Sequence, residues 1–192
     1  VTATADLGTV TVTGAWVANQ GVEVTSSKKT VTLNSDITAT AGHLTVTCKD
    51  AKGGTLALAK AFKSGPQNIW SSVNLNIDAT FITSTAVVTA KADLGTVTVT
   101  GAWAAAKQVA VTSLVKTVTL NSDITTKEGH LTVTCNHNEN GGLRLAKAGK
   151  DIVQNIQAKE DLSIDAKDIT SAVVVTATAD LGTVTVTGAW VA

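Results

Sequence analysis

The sequence predicts an all-β protein and, within that class, a right-handed parallel β-helix (β-solenoid). Three observations support this: an 87-residue repeat, short runs in which apolar and polar residues alternate, and a shortage of aromatic residues. Aromatic side chains make up 3% of the 192 residues, and tyrosine is absent. Repeats of this kind are typical of solenoids, in which stacked units bury a shared core that no single unit could form alone.

The repeat divides the chain into three parts. Residues 1–87 form repeat unit 1, residues 88–174 form repeat unit 2, and residues 175–192 begin a third unit. The first two units align without a gap, and nearly two thirds of their positions are identical. We therefore expect one continuous solenoid rather than separate domains.

The three copies of the first segment differ in an informative way. The third copy, 175–192, repeats residues 1–18 letter for letter, whereas the middle copy carries Lys91 and Ala104 at two positions where both outer copies carry Thr and Val. This pattern favours an A-B-A order of units, with a period of two units; the alternative is that the terminal duplication is not part of the natural repeat. The pattern predicts continuation into a longer repeat chain or end-to-end stacking of copies.

Within each unit, short runs alternate with period two, which is the pattern of strands with one buried face. In unit 1 these runs are DLGTVTVTGA, KTVTLNSDIT, GHLTVTC, GGTLALAKA and VNLNIDATFIT. Threonine and valine dominate them, and both are β-branched residues that favour strands. Glycine or polar residues open most runs, as turns require. The spacing predicts about four coils of roughly 22 residues per unit.

The predicted interior is narrow in composition. It consists of aliphatic side chains at alternate positions: Val10, Val12, Val31, Leu33, Leu44, Val46, Leu56, Leu58, Leu75 and Ile77. Uniform aliphatic residues suit stacked ladders in a solenoid. The alternative fold is a series of tandem Ig-like β-sandwiches, one for each unit. It is less favoured because sandwich cores usually contain large aromatics, and the tyrosine corner of many Ig domains has no tyrosine to build it.

Several runs follow a common pattern, Gly-x-Leu-x-Val/Leu-x-Ala/Cys followed by Asp-Ile. The segments GGLRLAKAGKDIVQN (141–155) and EDLSIDAKDITSA (160–172) carry it best, and TVTLNSDITATAGHLTVT (30–47) carries it too. This pattern resembles the haemagglutinin-type repeat region of bacterial two-partner-secreted adhesins, the filamentous haemagglutinin-like proteins. The resemblance implies a right-handed parallel β-helix that is exported unfolded and acts as a surface adhesin.

Two cysteines occupy equivalent places in the two units. Cys48 and Cys135 each follow the sequence GHLTVT, and alternation turns both toward the core. A separation of four coils would place them about 19 Å apart, too far for a disulfide, which needs Cα atoms within about 7 Å. We predict two free, buried thiols.

No cluster of residues suggests catalysis or metal binding. His43 and His130 each precede a strand in separate units, and His137 lies in the loop NHNEN, where a solvated turn is a simpler interpretation than a cation site. The recurring aspartates suit turns, because their side chains bond to their own backbone; they are Asp6, Asp36, Asp78, Asp93, Asp123, Asp165 and Asp180. We expect no catalytic residue, no cofactor and no metal.

Three tryptophans end the long motif in its three copies: Trp16, Trp103 and Trp190. If they were exposed in a row they would form a glycan contact, because aromatic rings stack on sugars. The simpler interpretation places each at a coil corner, where it covers the core.

The expected function is structural. The chain is interpreted as a non-catalytic shaft or filament segment of a bacterial surface or secreted adhesin, located outside the cell. The alternative is a carbohydrate- or receptor-binding adhesin module that uses exposed Trp and Thr residues, with a host glycan or receptor as partner. Fifteen basic and fifteen acidic residues give no net charge, so we expect no nucleic-acid partner. The longest apolar runs are strand-sized, so we expect no membrane span.

Overall fold

The computed structural model describes residues 1–49, 53–61, 65–135, 141–148 and 152–191. Throughout these ranges the regular structure is β-strand, without helix, and the paired strands run parallel. The chain winds through about eight coils. This confirms the parallel β-helix as the fold and excludes the tandem sandwiches, whose sheets would be antiparallel.

Each coil contributes one strand to each of three faces. Face 1 contains β1 (Thr2–Ala5), β4 (Val22–Ser26), β7 (Leu44–Cys48), the first parts of β10 (Leu75–Ser84) and β12 (Val97–Ala105), β14 (Val118–Leu120), β17 (Gly142–Leu145), and the last parts of β19 (Leu162–Ser171) and β21 (Val184–Val191). Face 2 contains β2 (Val10–Val12), β5 (Val31–Leu33), β8 (Thr55–Leu58), the last parts of β10 and β12, β15 (Ile124–Thr126), β18 (Val153–Ala158) and β20 (Val174–Ala179). Face 3 contains β3 (Trp16–Ala18), β6 (Ile37–Ala39), β9 (Gln67–Ser71), β11 (Val88–Ala92), β13 (Val109–Ser113), β16 (Leu131–Cys135), and the first parts of β19 and β21.

The core is a set of aliphatic ladders that run along the axis, because alternation turns every second side chain of each strand inward. All ten residues predicted for the interior are buried. One ladder on face 2 contains, in order of coils, Val10, Val31, Leu56, Ile82, Trp103, Ile124 and Ile156. The predicted uniformity of the interior is therefore real, with one large ring in the middle of this ladder.

The 87-residue repeat and the coil are out of step. Eleven strand segments separate Thr2 from its counterpart Thr89, and each coil uses three, so one unit fills three and two-thirds coils. This value lies close to the expected four. Because each unit is one third of a coil short of four complete coils, it begins one face away from the face on which the unit before it began. Residues at equivalent sequence positions therefore lie on different faces of the solenoid.

One glycine shows how closely successive coils approach. Gly101 lies at the corner within β12, with φ of 120°, and a Cβ atom built on it would lie 2.3 Å from the Ala79 carbonyl oxygen of the coil below. Gly188, its counterpart in the third copy, meets the Ala166 carbonyl oxygen at the same 2.3 Å. Gly14, the first copy, has nothing within 4 Å. The three glycines differ because the first coil has no strand beneath it.

The C-terminal coil is exposed in a way that the interior coils are not. Val184 and Val186 in β21 are 43% and 37% exposed, and Trp190 is 56% exposed. The counterparts of the two valines in the middle copy, Val97 and Val99, are 0% and 1% exposed. Since the sequences are the same, the difference comes from the next coil: Val118 and Leu120 cover Val97 and Val99, whereas β21 ends the described residues.

Candidate functional site

The three tryptophans of the repeated motif do not form one surface. Trp103 is 1% exposed, lies in the core between Ile82 and Ile124, and donates its indole N–H to Ser84 Oγ at 3.2 Å. A ring enclosed in this way offers no face to a sugar. Trp103 therefore serves the core, as the simpler interpretation held.

Trp16 and Trp190 lie at opposite ends of the solenoid. Trp16, in β3 on face 3, is half-buried and is covered from one side by Ile37 of the next coil. Trp190, in β21 on face 1, stands on Ile169 and is exposed above it. The rotation of one face per unit separates the two rings around the axis as well as along it. Glycan contact by either residue stays a prediction for a single ring.

One tryptophan outside the motif points outward from a middle coil. Trp70 occupies an outward position of β9 on face 3 and is half-buried, with Thr38 on one neighbouring strand and Lys91 on the other. The sequence alternation Gln-Asn-Ile-Trp-Ser could have identified it, because Ile69 marks the inward positions. Trp70 is therefore an outward aromatic ring at mid-shaft, and Phe81 of the next coil, 51% exposed, is another.

Threonines form an outward double row on face 1, but the row is interrupted. Adjacent coils align Thr25 with Thr47, and Thr47 in turn with Asp78. In the parallel row, Glu23 separates Thr2 from Thr45. Charged residues therefore divide the threonine surface into patches of up to three coils, such as Thr4, Thr25 and Thr47, which Asp78 ends. Such a surface is polar and solvated, without a continuous threonine array.

The two cysteines are free and buried, as predicted. Cys48 lies in β7 on face 1 and Cys135 lies in β16 on face 3, three coils further along the axis. Burial raises the pKa of the Cys48 thiol and raises that of Cys135 to about 11. The Cys48 thiol lies 2.8 Å from the Lys29 carbonyl oxygen, to which it donates. Both thiols stay protonated at neutral pH and act as small core residues.

The corner between faces 2 and 3 holds the main charged cluster in unit 2. His130, in the turn before β16, lies with Nε2 3.1 Å from Glu160 and Nδ1 3.3 Å from Asp161. Lys107 pairs with Glu128 on the same corner. Lys107, Glu128, His130 and Glu160 line a shallow surface depression, where side chains of both charge signs meet. The His130 Nδ1 atom accepts the Asp161 backbone N–H at 3.2 Å, which ties the turn of one coil to the turn of the next.

Asp161 has a second role at this corner. Its carboxylate accepts hydrogen bonds from the Thr183 backbone N–H at 2.9 Å and from the Thr183 hydroxyl at 3.1 Å. These bonds, with a smaller contribution from His130, lower the pKa of Asp161 below its ordinary value. The carboxylate holds the turn of the next coil, which is a structural role.

The sequence-based interpretation of the aspartates holds for some positions. Asp36 and Asp123 lie in turns directly before β6 and β15, where each accepts a backbone N–H at 2.7 Å. Asp78 and Asp165 instead lie inside strands β10 and β19 and point outward. The alternation of apolar and polar residues turns these two side chains toward solvent, where a single carboxylate does not disturb the strand.

Sequence reasoning missed an elaborate polar arrangement built around a buried glutamine. Gln67 is 0% exposed, donates to the Leu33 carbonyl at 2.8 Å and the Ser35 carbonyl at 3.1 Å, and accepts the Lys60 backbone N–H at 3.2 Å. We call this arrangement the glutamine lock. Its counterpart around Gln154, also 0% exposed, repeats the same three bonds one unit later.

A partly buried ion pair completes each lock. The Lys60 ammonium lies 2.8 Å from the Asp36 carboxylate and also donates to the Pro66 carbonyl at 2.8 Å. Burial alone would raise the pKa of Asp36, but the Asn68 N–H and the Lys60 ammonium outweigh it and hold the pKa below its ordinary value. The lock around Gln67 holds the chain that leaves face 2 against the coil before it, and the lock around Gln154 does the same for the chain that leaves face 1. The signal in sequence was the identical placement of Lys, Gln and Asn in both units.

Within the described ranges, no group of three or more His, Cys, Asp or Glu side chains is arranged to hold a metal ion. His137 and its neighbours Asn136, Asn138 and Glu139 lie outside the described residues. Those residues carry the cation-site alternative considered from sequence.

Comparison with known proteins gives no match: neither a family model, nor a curated protein, nor a solved structure matches the chain. A search of the described residues for a helix long and apolar enough to cross a membrane finds none. The fold and the surfaces described above therefore carry the functional argument.

Proposed function

We propose that this chain is a non-catalytic shaft or filament segment of a bacterial adhesin, exposed on the cell surface or secreted. The observation that supports it is the unbroken stack. Strands of one coil pair with the next on all three faces, and the aliphatic ladders continue along the axis. A structure of this kind adds length in proportion to the number of coils, which is what a spacer requires.

The outer surface supports the same role. Charges pair between neighbouring coils, as in Lys49 with Asp78 at 2.7 Å and Lys159 with Asp180 at 3.2 Å. These exposed pairs add little stability each. They do place opposite charges side by side along the stack, and the fifteen basic and fifteen acidic residues of the chain balance.

The shaft proposal is tested by measuring length against the number of repeats. The 192-residue chain has about eight coils, so small-angle X-ray scattering should give a particle about 38 Å long at 4.8 Å per coil. Extending the chain by a further 174 residues of the repeat should add about 35 Å along the same axis. A longer chain that becomes thicker, or that forms separate beads, would contradict the proposal.

The binding-module alternative is supported by one observation, the outward ring of Trp70. It is tested by immobilising the chain and probing a glycan array and host cells. The shaft proposal expects no binding above background. Binding that Trp70→Ala or Trp190→Ala removes, and Trp103→Phe leaves in place, would favour the adhesin module instead.

A further inference from the structure

The outer surface of face 3 is mostly uncharged. Its described strands turn Thr, Ser, Asn, Ala, Val and Trp side chains outward, and charge occurs at two of these outward positions, Lys91 and Asp165. Both lie in one row along the axis, which continues in register from Lys91 through Thr112 and Thr134 to Asp165. The two charges are therefore three coils apart, about 14 Å.

Each of these residues belongs to a short segment that carries the opposite charge at its other end. Residues 91–93 are Lys-Ala-Asp, and residues 165–167 are Asp-Ala-Lys. The central alanine is buried in both segments, so the charged side chains on either side of it turn outward. The Lys91 Nζ atom lies 2.9 Å from the Asp93 carboxylate, and these two side chains are 35% and 28% exposed. The two segments thus present reversed charge patterns on the same side of the solenoid.

The reversed patterns are specific to unit 2. Unit 1 places the equivalent segments on face 1, where residues 4–6 are Thr-Ala-Asp and residues 78–80 are Asp-Ala-Thr. Both aspartates are present in each unit, whereas the two lysines of unit 2, Lys91 and Lys167, replace threonines of unit 1. The pairing of Lys-Ala-Asp with Asp-Ala-Lys is therefore a property of face 3 and not of the repeat.

We propose that two copies of this chain pair side by side through face 3, with their long axes antiparallel. A two-fold axis that runs along the strand direction, midway between β13 and β16, reverses the order of the coils but keeps the order of residues along each strand. It therefore places residues 91–93 of one copy opposite residues 165–167 of the other, lysine against aspartate and aspartate against lysine. A two-fold contact is self-complementary, so the same arrangement occurs twice in the pair.

The same two-fold axis matches charges at the edge of the contact. Lys107 lies in the turn before β13, and Glu128 lies in the turn before β16, at the corner between faces 2 and 3. The axis passes between these two coils, so it brings Lys107 of one copy to the same level as Glu128 of the other. Within one copy the two side chains already pair. The edge of the contact therefore meets an opposite charge as its centre does.

Faces 1 and 2 lack this complementarity. The charged residues at outward positions of the described strands of face 1 are three acidic and one basic: Glu23, Asp78, Asp168 and Arg144. No two-fold axis can pair all four with opposite charges. The outward positions of the described strands of face 2 carry no charge, and Phe81, 51% exposed, is an aromatic ring among them. Face 3 is the surface on which charge selects both a second copy and its direction.

The area of the contact predicts a weak pair. Centred between β13 and β16, the two copies overlap over six coils, a footprint of about 29 Å by about 16 Å at about 4.8 Å per coil and about 3.3 Å per residue. Roughly 900 Å² from both copies would be buried, close to the lower limit of a specific interface, so we expect a Kd on the order of 100 μM. Exposed ion pairs add little affinity each, so the charges fix register and direction more than strength.

The experiment exchanges charges within a segment, so that the net charge of the chain stays the same. In K91D/D93K both segments become Asp-Ala-Lys, and a pair of copies would oppose aspartate to aspartate and lysine to lysine. In D165K/K167D both segments become Lys-Ala-Asp, with the same result. Each variant should have an association constant at least about tenfold below that of the parent in analytical ultracentrifugation.

Mixing the two variants separates lost complementarity from lost folding. In the mixture, the Asp-Ala-Lys segments of one variant meet the Lys-Ala-Asp segments of the other, so mixed pairs should form with the affinity of the parent. The variant K91D/D93K/D165K/K167D restores opposite charges within one sequence and should also pair like the parent. A variant that had failed to fold would be rescued by neither arrangement.

A matched exchange on face 1 provides the control. K49D/D78K reverses the ion pair between Lys49 and Asp78 and should leave association unchanged. Half-exchanged variants that pair as the parent does, or a parent that stays monomeric up to about 1 mM, would overturn the inference. Loss of pairing with Phe81→Ser, in place of loss with the face 3 variants, would move the contact to face 2 and overturn it as well.

This inference goes beyond the shaft proposal and can fail separately from it. Pairing makes the particle wider and leaves its length at about 38 Å, whereas end-to-end joining would lengthen it. The length test of the shaft proposal is made at concentrations where the chain is monomeric, so its result does not depend on pairing.

Discussion

Identical residues have different surroundings in this protein, because the same segment occurs at the bottom, in the middle and at the top of one stack. Trp103 is enclosed and Trp190 is exposed, although twelve residues around them have the same sequence. Val99 and Val186 differ in the same way. A residue's role here is set by whether a coil lies above and below it.

Gly101→Ala should be strongly destabilising, whereas Gly14→Ala should be nearly neutral. At Gly101 a methyl group would meet the Ala79 carbonyl oxygen at 2.3 Å and force a positive φ on alanine, while at Gly14 the space is open. We expect a loss of at least about 2 kcal/mol for the first and less than about 0.5 kcal/mol for the second. Urea unfolding of both variants provides the measurement, and equal losses would contradict the stacking described.

Both cysteines should resist thiol reagents in the native state. Burial excludes the reagent, and the pKa of Cys135, raised to about 11, keeps its thiol protonated at pH 8. In folded protein, we expect labelling by a disulfide reagent at least about a hundredfold slower than in guanidinium chloride. Rapid labelling of one cysteine would show that its coil opens locally.

At the scale of elements, the strands are ordinary and the corners are specialised. Turns between faces carry the side chains that hold one coil to the next, as Asp161 holds the Thr183 turn. The glutamine locks lie at the two long connections, from β8 on face 2 to β9 on face 3 and from β17 on face 1 to β18 on face 2. At these connections the glutamine side chain supplies hydrogen bonds to the preceding coil.

Gln67→Ala should destabilise the solenoid far more than Gln20→Ala, its exposed control. Removing the Gln67 amide leaves the Ser35 carbonyl and the Lys60 N–H, both partly buried, without the partner that the amide supplies. An unsatisfied buried polar group costs about 1–3 kcal/mol, so we expect Gln67→Ala to lower the free energy of unfolding by about 1–3 kcal/mol. Thermal and urea unfolding measure it; a loss equal to that of the exposed control would remove the lock from the stability argument.

The Asp36–Lys60 pair should give the protein an acid-sensitive component of stability. The folded pKa of Asp36 lies below its unfolded value, so the ionised carboxylate stabilises the fold at pH values above the unfolded pKa of about 3.9. That contribution is lost as the pH falls through the folded pKa. The free energy of unfolding should therefore differ between parent and Asp36→Asn most above pH 5 and least near pH 2.

The control for this prediction is Asp6→Asn, which removes an exposed carboxylate from the first coil. Urea unfolding at several pH values gives the comparison. A parent–Asp36→Asn difference that stays constant from pH 6 to pH 2 would contradict the assignment of Asp36 as the acid-sensitive group.

At the scale of the whole molecule, stability should be graded along the axis. Each coil contacts its two neighbours, so cooperativity is local and an end coil has one neighbour fewer. The C-terminal coil also has its valines exposed.

Hydrogen exchange should reveal this gradient. Amides of β20 and β21 should exchange first in dilute protein, and amides of β11 to β13 should exchange last. We expect protection factors at least about a hundredfold lower at the C-terminal end. Uniform protection along the whole chain would contradict a graded stack.

The sequence by itself determined the fold class, the inward ladder residues and the buried state of the cysteines, because alternation and repetition act locally and are visible in the letters. Only the tertiary structure decided which face each unit occupies, since that depends on eleven strand segments divided among three faces. The same count separated Trp16, Trp103 and Trp190 around the axis. The glutamine locks also belonged to the tertiary structure, because Gln67 becomes buried only when the coil around Leu33 and Ser35 folds against it.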